Sequence, residues 1–287
     1  MIPPEFPSMM LASPDGARAE IALDGGHVVS WTPAGQTEDR LFVSARSTYG
    51  PGNAIRGGIP VIFPQFGPFG ALKQHGFARN RRWTVMDSSN ESTNESTNES
   101  SNESSARATL RLTDDAATRA LWPHRFDLKL SVKVHGATLS VSLTVANSDE
   151  APFTFTAAFH PYFAVRDAFT THVDGLRDLH YRDALRNGAC FEESAPSLAI
   201  TGPLDRIYYD APDRLVIRDA ERLLHIETQG FPEAVVWNPG IEGTSSRADF
   251  TPGEEHRMLC VEAARIQHPI ALAPGEAWSG TQLMRAG

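Results

Sequence analysis

Apolar residues recur at every second position in several short stretches of this chain. The alternation is clearest in 126–134 (FDLKLSVKV) and 139–145 (LSVSLTV), which the turn-like segment 135–138 (HGAT) separates. Period two puts the apolar side chains of a strand on one face, so these stretches predict a β-hairpin with one buried face. Helical periodicity is weak, and only 115–121, which Pro123 follows closely, has the pattern for one or two helical turns.

Further strand candidates follow along most of the chain. Many short strands separated by Gly and Pro predict an all-β protein, either a sandwich or a barrel. Such folds extend past ~250 residues as one domain, so we predict a single domain over residues 1–287. The remaining candidates are 18–23, 28–32, 81–86, 107–112, 153–160, 214–218, 223–228, 233–238, 257–264 and 278–284.

A low-complexity segment of Asn, Glu, Ser and Thr occupies residues 88–105 (SSNESTNESTNESSNESS). It contains no apolar residue, and so it cannot offset the entropy of becoming ordered. Strand-like sequence resumes on both sides, which argues against a domain boundary there. We therefore predict a solvated loop between the strands at 81–86 and 107–112, because lengthening a loop costs only about 0.6 kcal/mol per doubling.

The charge and the ends of the sequence limit the classes of partner. A formal net charge of −9 argues against a nucleic-acid-binding or anionic-membrane surface, although a small anion needs only a local basic pocket. Two cysteines, Cys190 and Cys260, are too few for a disulfide scaffold or a cysteine-rich zinc site. The N-terminus lacks the pattern of a secretory signal, and no long apolar run occurs, so we expect a cytoplasmic protein.

Two arginines lie in a Gly- and Pro-rich region that is otherwise nearly uncharged. Arg56 opens RGGIPVIFPQFG, and Arg79 closes QHGFAR, with only Lys73 between them among charged residues. Glycine lets a backbone approach a ligand closely, and arginine suits bidentate contact with phosphate or carboxylate. The pattern favours an anion site, while the alternative is that each arginine is an ordinary surface residue.

His160 ends an alternating, aromatic strand candidate. Phe153, Phe155, Ala157 and Phe159 share one face, which leaves His160 on the other face among small and polar residues. That position is typical of a residue that lines a cleft. The alternative is a histidine bonded structurally at the end of its strand.

Glu262 lies within an otherwise apolar strand candidate, MLCVEAA. Leu259, Val261 and Ala263 alternate with Cys260 and Glu262. A glutamate among apolar residues is costly unless it is paired or used in catalysis. The sequence therefore suggests either a structural salt bridge or a general base that works with His160 as the acid.

Two further residues carry weaker signals. Asp205 begins a strand-like stretch, where its carboxylate could accept hydrogen bonds from sugar hydroxyls or merely start a turn. Trp237 precedes Asn-Pro and could stack on a sugar ring, although a core position is the simpler interpretation.

The motifs of several enzyme classes are missing. The sequence has no G-x-S-x-G, no P-loop, no dinucleotide fingerprint and no H-E-x-x-H, and its ten histidines show no tight metal-ligand spacing. We therefore predict an acid–base enzyme that needs neither a cofactor nor a metal.

A set of motifs along the chain resembles a known enzyme family, the hexose-6-phosphate mutarotases or glucose-6-phosphate 1-epimerases of the aldose 1-epimerase (galactose mutarotase-like) superfamily. The resemblance covers about residues 16–284, and the order of the motifs is more specific than any one of them. The motifs, in chain order, are RGGIPVIFPQFGP, QHGFARNRRW, FHPYF, DRIYYDAP, VVWNP and MLCVEAA.

The resemblance implies a fold, an activity and a set of roles. The fold would be a large antiparallel β-sandwich, and the enzyme an isomerase that interconverts the α and β anomers of hexose 6-phosphates. His160 would be the catalytic acid and Glu262 the base, with His160 protonated and Glu262 ionised before the sugar ring opens. The resemblance also implies substrate contacts from Arg56, Gln74, His75, Arg79 and Asp205. We expect a small-molecule substrate as the only partner, and a monomer.

Other functions remain open at this point. The same sandwich could be a non-catalytic module that binds sugar phosphates, or a mutarotase for free aldoses. A glycoside hydrolase would use Glu262 with a second acid such as Asp205.

Overall fold

The computed structural model describes residues 3, 5–89 and 105–287. The strands, in chain order, are β1 (Ser8–Ala12), β2 (Arg18–Ala22), β3 (His27–Thr32), β4 (Val61–Ile62), β5 (Thr84–Ser89), β6 (Ala106–Thr113), β7 (Phe126–His135), β8 (Thr138–Asn147), β9 (Phe153–Phe159), β10 (Tyr162–Ala164), β11 (His172–Asp174), β12 (His180–Asp183), β13 (Ala189–Glu192), β14 (Ser197–Ala199), β15 (Leu204–Tyr208), β16 (Arg214–Asp219), β17 (Arg222–Gln229), β18 (Glu233–Asn238), β19 (Met258–Leu272) and β20 (Ala277–Ala286). The α-helices are α1 (Ala116–Leu121) and α2 (Gly240–Ser245), and single 3-10 turns occupy Ala78–Asn80, Ala168–Thr170, Ala184–Arg186 and Glu254–His256. Within the described ranges, no helix has the length and apolarity to cross a membrane.

The described strands form three antiparallel sheets. Strands β1, β2 and β3 make the smallest sheet. A nine-stranded sheet has the order β14-β11-β16-β17-β20-β8-β7-β6-β5. An eight-stranded sheet has the order β13-β12-β15-β18-β19-β9-β4, with β10 also paired to β19.

The main core lies between the sheets. The largest buried cluster draws side chains from all three sheets, such as Ile21 of β2, Leu143 of β8 and Val261 of β19. Across the two large sheets, the rings of Phe155 and Trp278 lie 5.9 Å apart. The architecture is therefore the large antiparallel β-sandwich that the alternation and the family resemblance predict.

The two faces of the eight-stranded sheet have different environments. In β9, Phe153, Phe155 and Phe159 pack in the main core, whereas Ala158 belongs to a smaller cluster on the opposite face. That smaller cluster also contains Ile62, Phe66, Ile207, Val235 and Ala264. The face that looks away from the main core is called the outer face below, and it carries the candidate site.

The long alternating strands are confirmed. The hairpin predicted over 126–145 is β7 and β8, paired from Phe126 opposite Asn147 to His135 opposite Thr138. The helical turns predicted at 115–121 are α1, whose N-cap Asp115 accepts a hydrogen bond from the Thr118 amide. Sequence reasoning missed α2 and the short strands β1, β4 and β10–β14.

The low-complexity loop is predicted over 88–105, but strand β5 extends two residues into it. Ser88 and Ser89 continue β5 and pair with Ala108 and Arg107 of β6. Backbone pairing at the edge of a sheet needs no apolar side chain, so a polar stretch extends the strand there. The rest of the predicted loop, residues 90–104, lies outside the described residues.

Candidate active site

Strand register places the candidate residues in rows on the outer face. Glu262 of β19 lies opposite Val235 of β18, Val235 opposite Ile207 of β15, and Ile207 opposite Arg182 of β12. Directly paired residues of antiparallel strands point to the same face of the sheet. A second row, two residues along, runs from Asp205 through Trp237 and Cys260 to Tyr162.

His160 and Glu262 meet at the centre of this face. His160 Nε2 lies 3.3 Å from Glu262 Oε1, and both side chains are buried. The His160 ring stacks on Tyr162, with ring centroids 4.8 Å apart and planes 7° from parallel. Neither His160 Nδ1 nor Glu262 Oε2 has a hydrogen-bond partner among the described residues. Packing thus holds the pair in place, while each side chain keeps one polar atom without a hydrogen-bond partner among the described residues.

Burial sets the protonation of this pair. It lowers the pKa of His160 well below its usual value, and the charges of Arg79 and Arg56 act in the same direction. Burial raises the pKa of Glu262 well above its usual value, and the Asp205 charge adds to that rise. Burial therefore opposes the ionised arrangement that is expected before ring opening.

Arg56 is held by protein partners on one side of the pair. Its Nη2 lies 2.8 Å from Asp249 Oδ2, and its Nε also donates to that oxygen at 3.0 Å. Nη1 donates to the Tyr162 hydroxyl at 2.8 Å, and the guanidinium lies over the Phe250 ring. Arg56 is consequently a half-buried cation whose charge Asp249 already balances.

Arg79 has no such carboxylate partner within the described ranges. It lies in the 3-10 turn Ala78–Asn80, and its Nη2 donates to the Gln74 carbonyl oxygen at 3.0 Å. Its Nε is buried without a hydrogen-bond partner among the described residues. Burial and the nearby charge of Arg56 lower the pKa of Arg79. Arg79 is therefore an unbalanced cation in the wall of the cavity.

The loop before Arg79 brings Gln74 and His75 to the same cavity. The His75 ring packs edge-on against His160, with centroids 5.6 Å apart, and its Nδ1 accepts a hydrogen bond from the Gly67 amide at 3.3 Å. Burial, with the charge of Arg79 second, lowers the pKa of His75 to about 3. His75 is therefore a neutral lining residue, while Gln74 is exposed at the cavity mouth.

Asp205 is half-buried on β15 near Glu262. Burial, together with the negative charge of Asp183, raises the pKa of Asp205 to about 6, whereas Arg182 and Arg247 act in the opposite direction. It makes no ion pair with any described side chain, so its oxygens are available to hydroxyl donors in the cavity.

The structure brings all the predicted site residues into one cavity of about 530 Å³. Trp237 also lines it, with its ring 5.9 Å from that of His160, and at the same time packs half-buried against a small apolar cluster, so the simpler interpretation of a core tryptophan describes only part of its position. No group of three or more His, Cys, Asp or Glu that could hold a metal occurs in the described part of the chain. The predicted residues on the cavity wall are Arg56, Gln74, His75, Arg79, His160, Asp205 and Glu262.

The cavity residues that sequence reasoning missed include one tyrosine and two arginines. Tyr162 is in FHPYF, where it is an obvious aromatic neighbour of the histidine. Arg182 and Arg247 lie in stretches with no recognisable motif, and only strand pairing and the position of α2 bring them to the cavity. No local signal in the sequence marks either arginine.

Comparison with known proteins gives consistent results. The sequence profile described as Aldose 1-epimerase matches residues 7–285. A "Putative glucose-6-phosphate 1-epimerase" of Cenchrus ciliaris is 37% identical over 274 residues, which are 92% of this chain and 81% of that protein. A protein of the same name from Escherichia coli K12 is 33% identical over 251 residues, 86% and 79% of the two chains.

Solved structures share the fold. The crystal structure of a "putative mutarotase" from Salmonella typhimurium superimposes with a TM-score of 0.87 at 28% identity, over 98% of this chain and 90% of that one. A galactose mutarotase-like protein from Lactobacillus casei, at 17% identity, gives a TM-score of 0.73 over 98% and 100% of the two chains.

Proposed function

The chain belongs to the aldose 1-epimerase family, whose members interconvert sugar anomers, and we propose that its substrates are the α and β anomers of hexose 6-phosphates. The observation that carries the proposal is the buried contact of 3.3 Å between His160 Nε2 and Glu262 Oε1 in a cavity walled by arginines. An acid and a base at one point suit hemiacetal chemistry, and arginine suits a phosphate ester. The names of the two curated relatives support the same substrate class.

The proposed reaction begins with the C1 hydroxyl of the cyclic sugar at Glu262 and the ring oxygen at His160, whose polar atoms lie side by side at 3.3 Å. The Glu262 carboxylate removes the proton of the C1 hydroxyl while the His160 imidazolium donates a proton to the ring oxygen. The C1–O5 bond then breaks and the aldehyde forms, which leaves Glu262 protonated and His160 neutral. Rotation about C1–C2 presents the other face of the carbonyl, and the same two protons return as the ring closes.

The protonation that burial favours matches one stage of this cycle. A neutral His160 beside a protonated Glu262 is the state that the mechanism assigns to the open-chain aldehyde. The two arrangements differ only in the position of one proton within the pair. The cavity therefore supports the less polar intermediate state, and the bound substrate must stabilise the ionised one.

Substrate binding is assigned to the residues around the pair. We expect Arg79 and Arg56 to contact the phosphate. We expect Gln74, His75 and Asp205 to contact the sugar. Because Asp249 balances the charge of Arg56, Arg79 should supply the larger share of the attraction to phosphate.

The test is anomer exchange, followed by NMR, on glucose and glucose 6-phosphate side by side. His160→Ala and Glu262→Gln should each slow exchange about 10²-fold or more, because each removes one general acid–base group. His256→Ala is the matched control, because His256 pairs with a carboxylate, Asp167, at 2.9 Å but does not line the cavity.

The outcomes separate the possibilities. Full activity of either cavity variant, with the control also active, contradicts the catalytic assignment. Equal rates of wild-type protein on glucose and glucose 6-phosphate contradict the substrate class. Binding of glucose 6-phosphate without any exchange would identify a non-catalytic binding module.

A further inference from the structure

Two arginines of the cavity, Arg182 and Arg247, have no role in the mechanism above, and Arg182 is the more buried of the two. Arg182 of β12 is in the same cross-strand row as Glu262, at the far end from the acid–base pair. The three strand spacings between their backbones correspond to about 14 Å. Arg182 is half-buried and lines the same cavity as His160 and Glu262.

The Arg182 guanidinium is supported on two sides. It lies over the Phe69 ring, 5.0 Å from the ring centroid, and Phe69 keeps 45% of its surface exposed. On another side it lies against Gly188, where an added Cβ would come within 2.4 Å of Nη2. Aromatic stacking leaves the edge of a guanidinium free to donate hydrogen bonds. The side chain is therefore positioned by its flat faces while its N–H groups remain available.

The charge of Arg182 is not balanced by an ion pair. Among the described residues no carboxylate lies within ion-pair distance of it, whereas nearby Arg206 lies 2.9 Å from Glu193. Arg186, which lies over the Phe191 ring at the same 5.0 Å, has a carboxylate partner in Asp183. Stacking alone thus does not distinguish Arg182. On the cavity wall Arg247 is also stacked, over Trp237 at 5.9 Å, without an ion pair among the described residues, but it is exposed and donates to the Gly243 carbonyl oxygen, whereas Arg182 is half-buried.

We propose that Arg182 binds the phosphate group of the substrate together with Arg79, a proposal that rests on the proposed function. A phosphate monoester carries about −1.5 to −2 charges near pH 7, so two unbalanced cations match it. Arg79 and Arg182 are the two half-buried arginines of the cavity without an ion pair among the described residues, because Asp249 pairs with Arg56 and Arg247 is exposed.

One loop connects the two arginines. Phe69, which supports Arg182, stacks on Phe66, and Phe66 packs against His75 at 5.2 Å. The next residue back, Gln74, accepts the hydrogen bond from Arg79. Both guanidiniums therefore rest on the same segment, which fixes their relative positions.

The first test compares kcat/KM for glucose 6-phosphate and glucose. Arg182→Ala should lower the ratio of the two values about tenfold or more, the usual effect of losing a charge-assisted contact. Arg182→Lys should recover part of the ratio, because lysine keeps the charge but lacks the planar fork. Arg186→Ala is the control and should leave the ratio unchanged, since Arg186 is stacked in the same way outside the cavity.

The second test does not depend on turnover. Titration calorimetry with inorganic phosphate should show binding to wild type and to Arg186→Ala, and about tenfold weaker binding to Arg182→Ala. Phosphate binding that needs Arg182, in a protein without anomer exchange, would support the anion site and contradict the proposed function. If Arg182→Ala leaves both the substrate ratio and the phosphate affinity unchanged while the wild type is active, the role of Arg182 is overturned and the proposed function stands. An equal loss on both sugars would also overturn it.

Discussion

His160 Nε2 and Glu262 Oε1 lie 3.3 Å apart and both side chains are buried, so in the proposed mechanism the pair carries a single exchangeable proton. The ionised and neutral arrangements of His160 and Glu262 have the same net charge, so choosing between them requires no proton from solvent. Burial opposes separated charge and thus favours the neutral arrangement. In the proposed cycle the pair alternates between these two arrangements, and each passage moves a proton through the sugar instead of through water.

Asp205 should make the affinity for sugar depend on pH, and this effect can be measured separately from the titration of the acid–base pair. Its pKa is raised to about 6, so it is a carboxylate above that pH and a neutral acid below it. If the carboxylate accepts hydrogen bonds from sugar hydroxyls, affinity should fall as pH falls through about 6. We expect the dissociation constant of uncharged glucose, measured by NMR titration, to rise several-fold between pH 7.5 and pH 5.

The control for this prediction is Asp205→Asn, which should bind more weakly at pH 7.5 and show a flat profile over the same range. An uncharged sugar is used because a phosphate monoester itself titrates near pH 6. A wild-type profile as flat as that of the variant would show that Asp205 is not a sugar contact.

The sequence identifies the residues of this site that lie within motifs, and misses those brought in by sheet pairing. Alternation alone places His160 and Glu262 on the face away from the core, which the structure confirms. Arg182 reaches the cavity because β12 pairs with β15, and β15 with β18. The order of strands in a sheet is a long-range property that no local pattern encodes.

At the scale of elements, the segment from Phe63 to Arg79 depends on glycine at one close approach. Gly76 has a φ of +67°, and an added Cβ would lie 2.3 Å from the Phe63 carbonyl oxygen. Its neighbour His75 has a φ of +68°, so two successive residues adopt the left-handed conformation. The turn that directs His75 into the cavity is therefore possible only without a side chain at position 76.

Gly76→Ala should destabilise the protein by about 1–3 kcal/mol, because the overlap with Phe63 adds to the cost of a positive φ. It should also raise KM, since the displaced turn carries Gln74 and His75. Urea unfolding and anomer-exchange kinetics measure the two effects.

Gly136→Ala is the matched control for that substitution. Gly136 also has a positive φ, +52°, but an added Cβ would meet nothing within 4 Å. It should show only the conformational cost, about 1 kcal/mol, and an unchanged KM. Equal losses in the two variants would mean that the close approach at Gly76 contributes nothing.

The elements that sequence reasoning finds are the long ones. Strands such as β7 and β8 have ten residues each, enough for several cycles of alternation. Strands of two to five residues, such as β4 and β12, show at most two cycles, and pairing with neighbours stabilises them instead. Sequence reasoning missed helix α2 because its sequence, GIEGTS, contains poor helix formers and has no amphipathic repeat.

At the scale of the whole molecule, the two large sheets differ in what their faces contact. The nine-stranded sheet contributes buried strands to the main core, and the eight-stranded sheet has one face in that core and the other on the cavity. Stability and binding should consequently respond to different substitutions.

Leu143→Ala tests that division. Leu143 is fully buried in β8, so its truncation should cost about 2–5 kcal/mol of unfolding free energy while KM stays within about twofold. Val235→Ala, on the outer face between Ile207 and Glu262, should change KM as well as stability. Chemical denaturation and steady-state kinetics on both variants provide the comparison. A large change of KM in Leu143→Ala would show that the sheets are coupled.

Strand β5 is the last strand of the nine-stranded sheet, so Ser89 lies at that edge, opposite Arg107 of β6. The cavity opens on the outer face of the other large sheet. A reporter dye, an affinity handle or a tether to a sensor surface attached at Ser89 would therefore lie on a different sheet from the one whose outer face carries the cavity.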